Sequence, residues 1–104
     1  MKRLILILAL LLFTSCTTQA PTQSNPSEIN IQNFAFTPNE ITIKAGDTVT
    51  WINNDDAPHT VTGDSLDSGT LSKGQEFKQT FNELGTYEYH CNFHSSMKGK
   101  IIVK

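Results

Sequence analysis

Cys91, His94 and Met97 stand three residues apart in the stretch Tyr87-Glu88-Tyr89-His90-Cys91-Asn92-Phe93-His94-Ser95-Ser96-Met97. A thiolate, an imidazole and a thioether together suit copper that changes oxidation state, whereas zinc and magnesium rarely recruit methionine. A second imidazole, His59, lies far upstream in Asp55-Asp56-Ala57-Pro58-His59-Thr60-Val61. These four side chains are read as the ligands of one copper ion per chain.

The spacing sets conditions on the backbone. In an extended chain, three residues separate Cys91 from His94 by roughly 10 Å, so the two can share an ion only if the chain curls where the strand ends. A step of three residues per turn returns each side chain to the same side, and Met97 takes the next step. His59 must arrive from a second loop, with Pro58 fixing its entry. Two imidazoles and a thiolate in a plane, with a weak axial thioether, lie between the geometries that Cu(I) and Cu(II) prefer, and little rearrangement then accompanies an electron. Around the ligands, Asn53 and Asn54 are expected either to hydrogen-bond across the two loops or to serve only as turn formers. A backbone N–H near Thr60 or His94 is expected to reach the Cys91 sulfur and tune it.

The elements that must position these residues read as strands. No helical stripe of useful length occurs, while short runs alternate apolar with polar and are rich in β-branched and aromatic residues. Ile29, Ile31, Phe34 and Phe36 form a first strand with an irregularity near Asn33, and Pro38-Asn39 turns the chain. Glu40 to Lys44 and Thr48 to Asn53 are expected to pair as a hairpin through Ala45-Gly46-Asp47, with Val49 and Trp51 facing the core. The polar stretch from Ser65 to Gln75, pinned by Leu66 and Leu71, crosses between sheets. Glu76 to Phe81, Thr86 to Cys91 and Lys100 to Lys104 supply the later strands. In the run ending at Cys91, alternation puts Tyr87, Tyr89 and Cys91 on one side and Glu88 and His90 on the other, which excludes His90 as a ligand. The expected fold is all-β, a two-sheet Greek-key sandwich of about seven strands.

Composition bounds the rest. The 104 residues leave room for one domain, and 8 basic against 10 acidic side chains, with no basic cluster, argue against nucleic-acid binding. Met1-Lys2-Arg3 followed by the apolar run Leu4 to Phe13, only about 15 Å long as a helix, reads as an export signal over residues 1–15 rather than a membrane span. Leu12-Phe13-Thr14-Ser15-Cys16 resembles the lipobox of bacterial lipoproteins, with Phe13 where leucine is more usual. Lipidation of Cys16 would anchor the protein to a bacterial membrane, on the periplasmic or outer cell-surface side; the alternative is ordinary signal cleavage nearby. Residues 16–28, small and polar with two prolines, form a flexible tether, and 29–104 form the domain. Cys91 is then the only thiol of the fold, and in an oxidising compartment a metal would occupy it.

With these residues in place, the chain resembles the blue (type 1) copper proteins, the cupredoxin family. The resemblance is carried by Asp47-Thr48-Val49-Thr50-Trp51-Ile52-Asn53, by Pro58-His59, and by Tyr87-x-Tyr89-His90-Cys91 through His94, Met97, Lys98 and Gly99. The Cys-x2-His-x2-Met spacing is similar to the amicyanin type rather than to plastocyanin, whose second gap is longer. Phe93 and Ser95 depart from the pattern, standing where that type carries prolines. The resemblance implies a cupredoxin-like sandwich and an electron carrier rather than an enzyme. It also implies that electrons pass through the His94 edge, within a face of Ala57, Pro58, Phe93, Ser95 and Ser96, to unidentified donor and acceptor redox proteins. The chain is expected to act as a monomer. The other readings are copper storage or delivery without a redox task, an enzyme with Cys91 as nucleophile and His59 or His94 as base, and a zinc site. Storage sites favour exposed Met or Cys clusters, and a nucleophilic Cys91 leaves Met97 unexplained.

Overall fold

A computed structural model of the protein describes residues 27–104. The expected export signal, Cys16 and most of the tether lie outside the described residues. Within them there is no helix. Nine strands follow one another: β1 (Glu28–Gln32), β2 (Ala35–Thr37), β3 (Glu40–Ile43), β4 (Asp47–Asn53), β5 (Thr62–Gly63), β6 (Leu66–Asp67), β7 (Glu76–Phe81), β8 (Gly85–His90) and β9 (Lys98–Val103). One sheet has the order β2-β1-β4-β7 and the other β3-β9-β8-β5-β6, and they pack as a sandwich. The fold class is the expected one. The strand count is higher because the polar 65–75 stretch contributes the short β6 and because the first expected strand is two.

That first difference is a tight reversal. Gln32 pairs with Ala35, so Asn33 and Phe34 are the two central residues of a hairpin turn, both at φ 56°. Positive φ at both positions is what a two-residue hairpin with right-handed strand twist requires. Asn takes it readily; Phe does so rarely, and its presence hides the turn in the sequence.

The second difference concerns partners. The hairpin expected between Glu40 and Asn53 does not form. β3 pairs in parallel with β9 in one sheet, whereas β4 lies between β1 and β7 in the other. Gly46, at φ 98°, donates its N–H to Phe81 O at 2.7 Å and bends the chain across the edge of the sandwich. Both segments keep the inward faces that alternation assigns them, with Ile43, Val49 and Trp51 buried.

The core joins the two sheets. Ile29, Ile31, Val49 and Trp51 meet Ile101, Val103 and Tyr89, and the Trp51 ring stands edge-on to Tyr89 with centroids 5.4 Å apart. Tyr89 lies over Gly99, its partner across β8 and β9, where a Cβ would overlap the phenol ring. The strand that ends at Cys91 is thus anchored in the core two residues before the ligand.

Burial of Tyr89 pushes its phenol up to about 12, with the Trp51 indole working the other way. An unfolded tyrosine ionises near pH 10, so the folded state loses relative stability as pH rises from about 10 towards 12, and nothing is lost below 10. Spectrophotometric titration should show one of the two tyrosines ionising only together with unfolding. Two freely titrating phenols in the native protein would contradict this packing.

Candidate metal centre

Two loops at one end of the sandwich carry the expected ligands. Cys91 follows directly after β8, and the chain curls as the spacing demands: the Met97 N–H donates to His94 O at 2.9 Å, and the Cys91 N–H donates to Met97 O at 3.1 Å. The loop closes on itself before β9 begins at Lys98. His59 is fixed differently. Its backbone forms an isolated antiparallel bridge with Leu71, with N–O distances of 3.1 and 2.8 Å. The long crossing loop therefore holds the ligand loop from the side.

His59 and Cys91 are fully buried, Met97 is buried, and His94 is partly exposed. The Cys91 sulfur lies 3.7 Å from His59 Nδ1 and 3.8 Å from His94 Nδ1. At these separations the sulfur and either nitrogen could reach one ion at metal–sulfur and metal–nitrogen distances of about 2.3 and 2.0 Å. The three donor atoms converge, all within 4.8 Å of one another. Thr60 ties the loops together. Its N–H points at the Cys91 sulfur at 3.4 Å, and its hydroxyl accepts the Asn92 N–H at 2.9 Å. His90 is on the other face of β8, bonded to Asn92 Oδ1 at 3.2 Å and outside the cluster.

A family model described as a cupredoxin-like domain matches residues 4–103 of this chain. The chain belongs to the cupredoxins. Among similar proteins, amicyanin of Paracoccus denitrificans is 39% identical over 83 residues, which cover 73% of this chain and 63% of that protein. The match thus spans less than two thirds of that relative's length. Plastocyanin of Scenedesmus fuscus is 37% identical over 86 residues, covering 68% of this chain and 88% of that protein. A solved structure of an amicyanin mutant in its reduced state superposes with a TM-score of 0.71 at 38% identity, over 74% of this chain and 80% of that one. In this cupredoxin the cofactor is one copper ion, and His59, Cys91, His94 and Met97 are positioned for it.

The asparagines take other partners than expected. Asn53 is fully buried but does not cross to the 91–97 loop: its Nδ2 donates to Ala57 O at 3.0 Å and Leu71 O at 2.8 Å, and its Oδ1 accepts the Asp55 N–H at 2.9 Å. It folds the His59 loop onto the crossing loop. Asn54 turns to Asn30 on β1, its N–H meanwhile donating to Ile31 O at 2.8 Å. Crossing between the ligand loops falls to Thr60, because the two asparagines sit on the β1 side of the site.

Two residues of this cupredoxin site escape a reading of the sequence. Asp55 Oδ2 lies 2.8 Å from His59 Nε2. With Nδ1 facing the Cys91 sulfur and free to hold a metal, Nε2 would carry the proton and donate to the carboxylate, which fixes the ring. Partial burial works to raise the Asp55 carboxyl, but the N–H of Phe34, the His59 ring and the N–H of Asn33 together hold it below the usual carboxylate value. Phe34 is the second. Its ring lies edge-on to His94 and His59, with centroids 4.8 and 5.2 Å away. Asp55 stands four residues before His59, a spacing that could have drawn attention to it. Phe34 gives no such sign, since its position depends on a turn that the sequence does not announce.

Proposed function

We propose that this cupredoxin is a single-electron carrier, exported and tethered to a bacterial membrane through lipid on Cys16, that works as a monomer between redox proteins. The observation that carries the reading is the buried Cys91 sulfur with two imidazole nitrogens at 3.7 and 3.8 Å, one of them belonging to a ring that reaches the surface. Bound copper supplies the one-electron change between Cu(I) and Cu(II). The chain supplies the rest. His59 and Cys91 are shut away from water, and the Thr60 N–H points at the sulfur at 3.4 Å.

His94 offers the way out. Around it Phe34 and Phe93 are about half exposed, at 51% and 52%, beside exposed Pro58, Ser95 and Ser96. These five side chains offer aromatic area and carry no charge themselves, which suits brief docking to a partner protein rather than capture of an ion. Storage or delivery of copper fits less well, because Met97 and Cys91 are both buried and offer no exposed sulfur for transfer.

A visible spectrum of the copper-loaded protein tests the main reading. The oxidised form should be intensely blue and bleach with ascorbate; a colourless protein would refute it. The anchor has its own test, since Cys16→Ser should move the protein from the membrane fraction to the soluble one. Equal partition of both forms would remove the tether.

A further inference from the structure

The hairpin tip at Asn33 and Phe34 contributes no ligand, yet it is fastened to the copper site. Both residues sit at φ 56°, and for phenylalanine this left-handed backbone is strained. What holds it is one carboxylate. The Asn33 N–H donates to Asp55 Oδ1 at 2.7 Å and the Phe34 N–H to Asp55 Oδ2 at 2.9 Å. That same Oδ2 lies 2.8 Å from His59 Nε2. Hydrogen bonds to a charged acceptor are strong enough to offset strain of this kind.

We propose that Asp55 is a positioning residue that clasps the His59 ring and the Phe34 tip into one unit, making Phe34 a fixed cover over the outer edges of the two imidazoles. The shared oxygen makes the two tasks inseparable. A carboxylate drawn toward Phe34 alone would leave His59 Nε2 unpaired in a buried site, and one serving His59 alone would let the tip relax out of its left-handed form. Held by both, the backbone that carries the Phe34 ring stays in place, and the ring screens one side of His94 from small reductants. Only this last consequence rests on the electron-carrier reading; the clasp itself does not.

The test uses Asp55→Asn, Phe34→Ala and their combination in the full chain. In metal-free protein, amide hydrogen exchange at Asn33 and Phe34 should quicken about tenfold in Asp55→Asn, while amides of β7 and β9 stay unchanged. In copper-loaded protein, Phe34→Ala should speed reduction of the oxidised form by ascorbate severalfold. The same change made in the Asp55→Asn background should add little, because the cover is already loose. Unchanged exchange at Asn33 and Phe34 would overturn the proposal, as would equal effects of Phe34→Ala in the two backgrounds. If Asp55→Asn proves too unstable to study, Asp55→Glu, one methylene longer, should shift the same two amides, and their constancy would count equally against the clasp. Because exchange is read without metal, a failed clasp is distinguishable from a protein that simply carries no electrons.

Discussion

Cys91→Ser should give a folded protein with no intense visible band and no reversible one-electron chemistry. The donor atom decides this. A thiolate is soft and polarisable and shares charge with copper, whereas a serine hydroxyl stays protonated at neutral pH and is a hard, weak donor. The change removes the centre of the donor set, since the sulfur is the atom that both imidazoles approach, at 3.7 and 3.8 Å. The fold should survive. Cys91 buries a small side chain at the end of β8, and the serine oxygen can still meet the Thr60 N–H that now points at the sulfur. Burying a hydroxyl there costs about 1–3 kcal/mol. Circular dichroism should therefore remain native while colour and redox response vanish. His90→Ala is the matching control, and its blue band should be unaltered because that ring lies outside the cluster. A blue Cys91→Ser protein would disprove the assignment of the site.

Asn53→Ala should be the most damaging substitution to stability among the residues around the ligands. Its side chain satisfies Ala57 O, Leu71 O and Asp55 N at once, in a fully buried position. Leu71 O keeps a partner in the His59 N–H, but Asp55 N loses its acceptor and Ala57 O its donor. Both orphaned groups are only partly buried, so each costs towards the lower part of the roughly 1–3 kcal/mol of a fully buried one, and a total of roughly 2–4 kcal/mol is expected. For a domain of this size that lowers Tm by on the order of 10 °C or more. Thermal melts of the metal-free protein read it directly, and an unchanged Tm would show the network to be dispensable. Copper should restore part of the loss, because an ion that binds only the folded loops shifts the equilibrium towards them.

Much of the site is legible in the amino-acid sequence. Residue type and a spacing of three single out Cys91, His94 and Met97, because the donor set restricts the metal and the metal restricts the loop. Alternation assigns Trp51 and Val49 to the core and turns His90 away from the site. Strand partners are harder. Period two says which face a side chain takes, not which strand lies beside it, so the Glu40–Lys44 segment reads as the partner of its neighbour in sequence when it pairs with β9. Asn53 and Asn54 belong to the expected loop but make other bonds, since an amide will serve whichever backbone groups the tertiary fold brings near. The Phe34 turn is hidden because phenylalanine, unlike glycine, gives no hint of left-handed backbone. Leu71 can be read as a pin for its loop, but not as the residue that clamps His59.

The position of β9 between β3 and β8 has a consequence for how the chain reaches its native state. The last strand lies inside the sheet that leads to Cys91, so that sheet cannot be completed until the final residues are available. Pairings between Ile41 and Ile101, or Glu40 and Lys100, close loops of most of the domain's length. Such nonlocal contacts slow folding, towards the millisecond-to-second range of β sandwiches. During synthesis the growing chain therefore has no way to finish early. The sheet that leads to Cys91 stays incomplete until β9 has joined it.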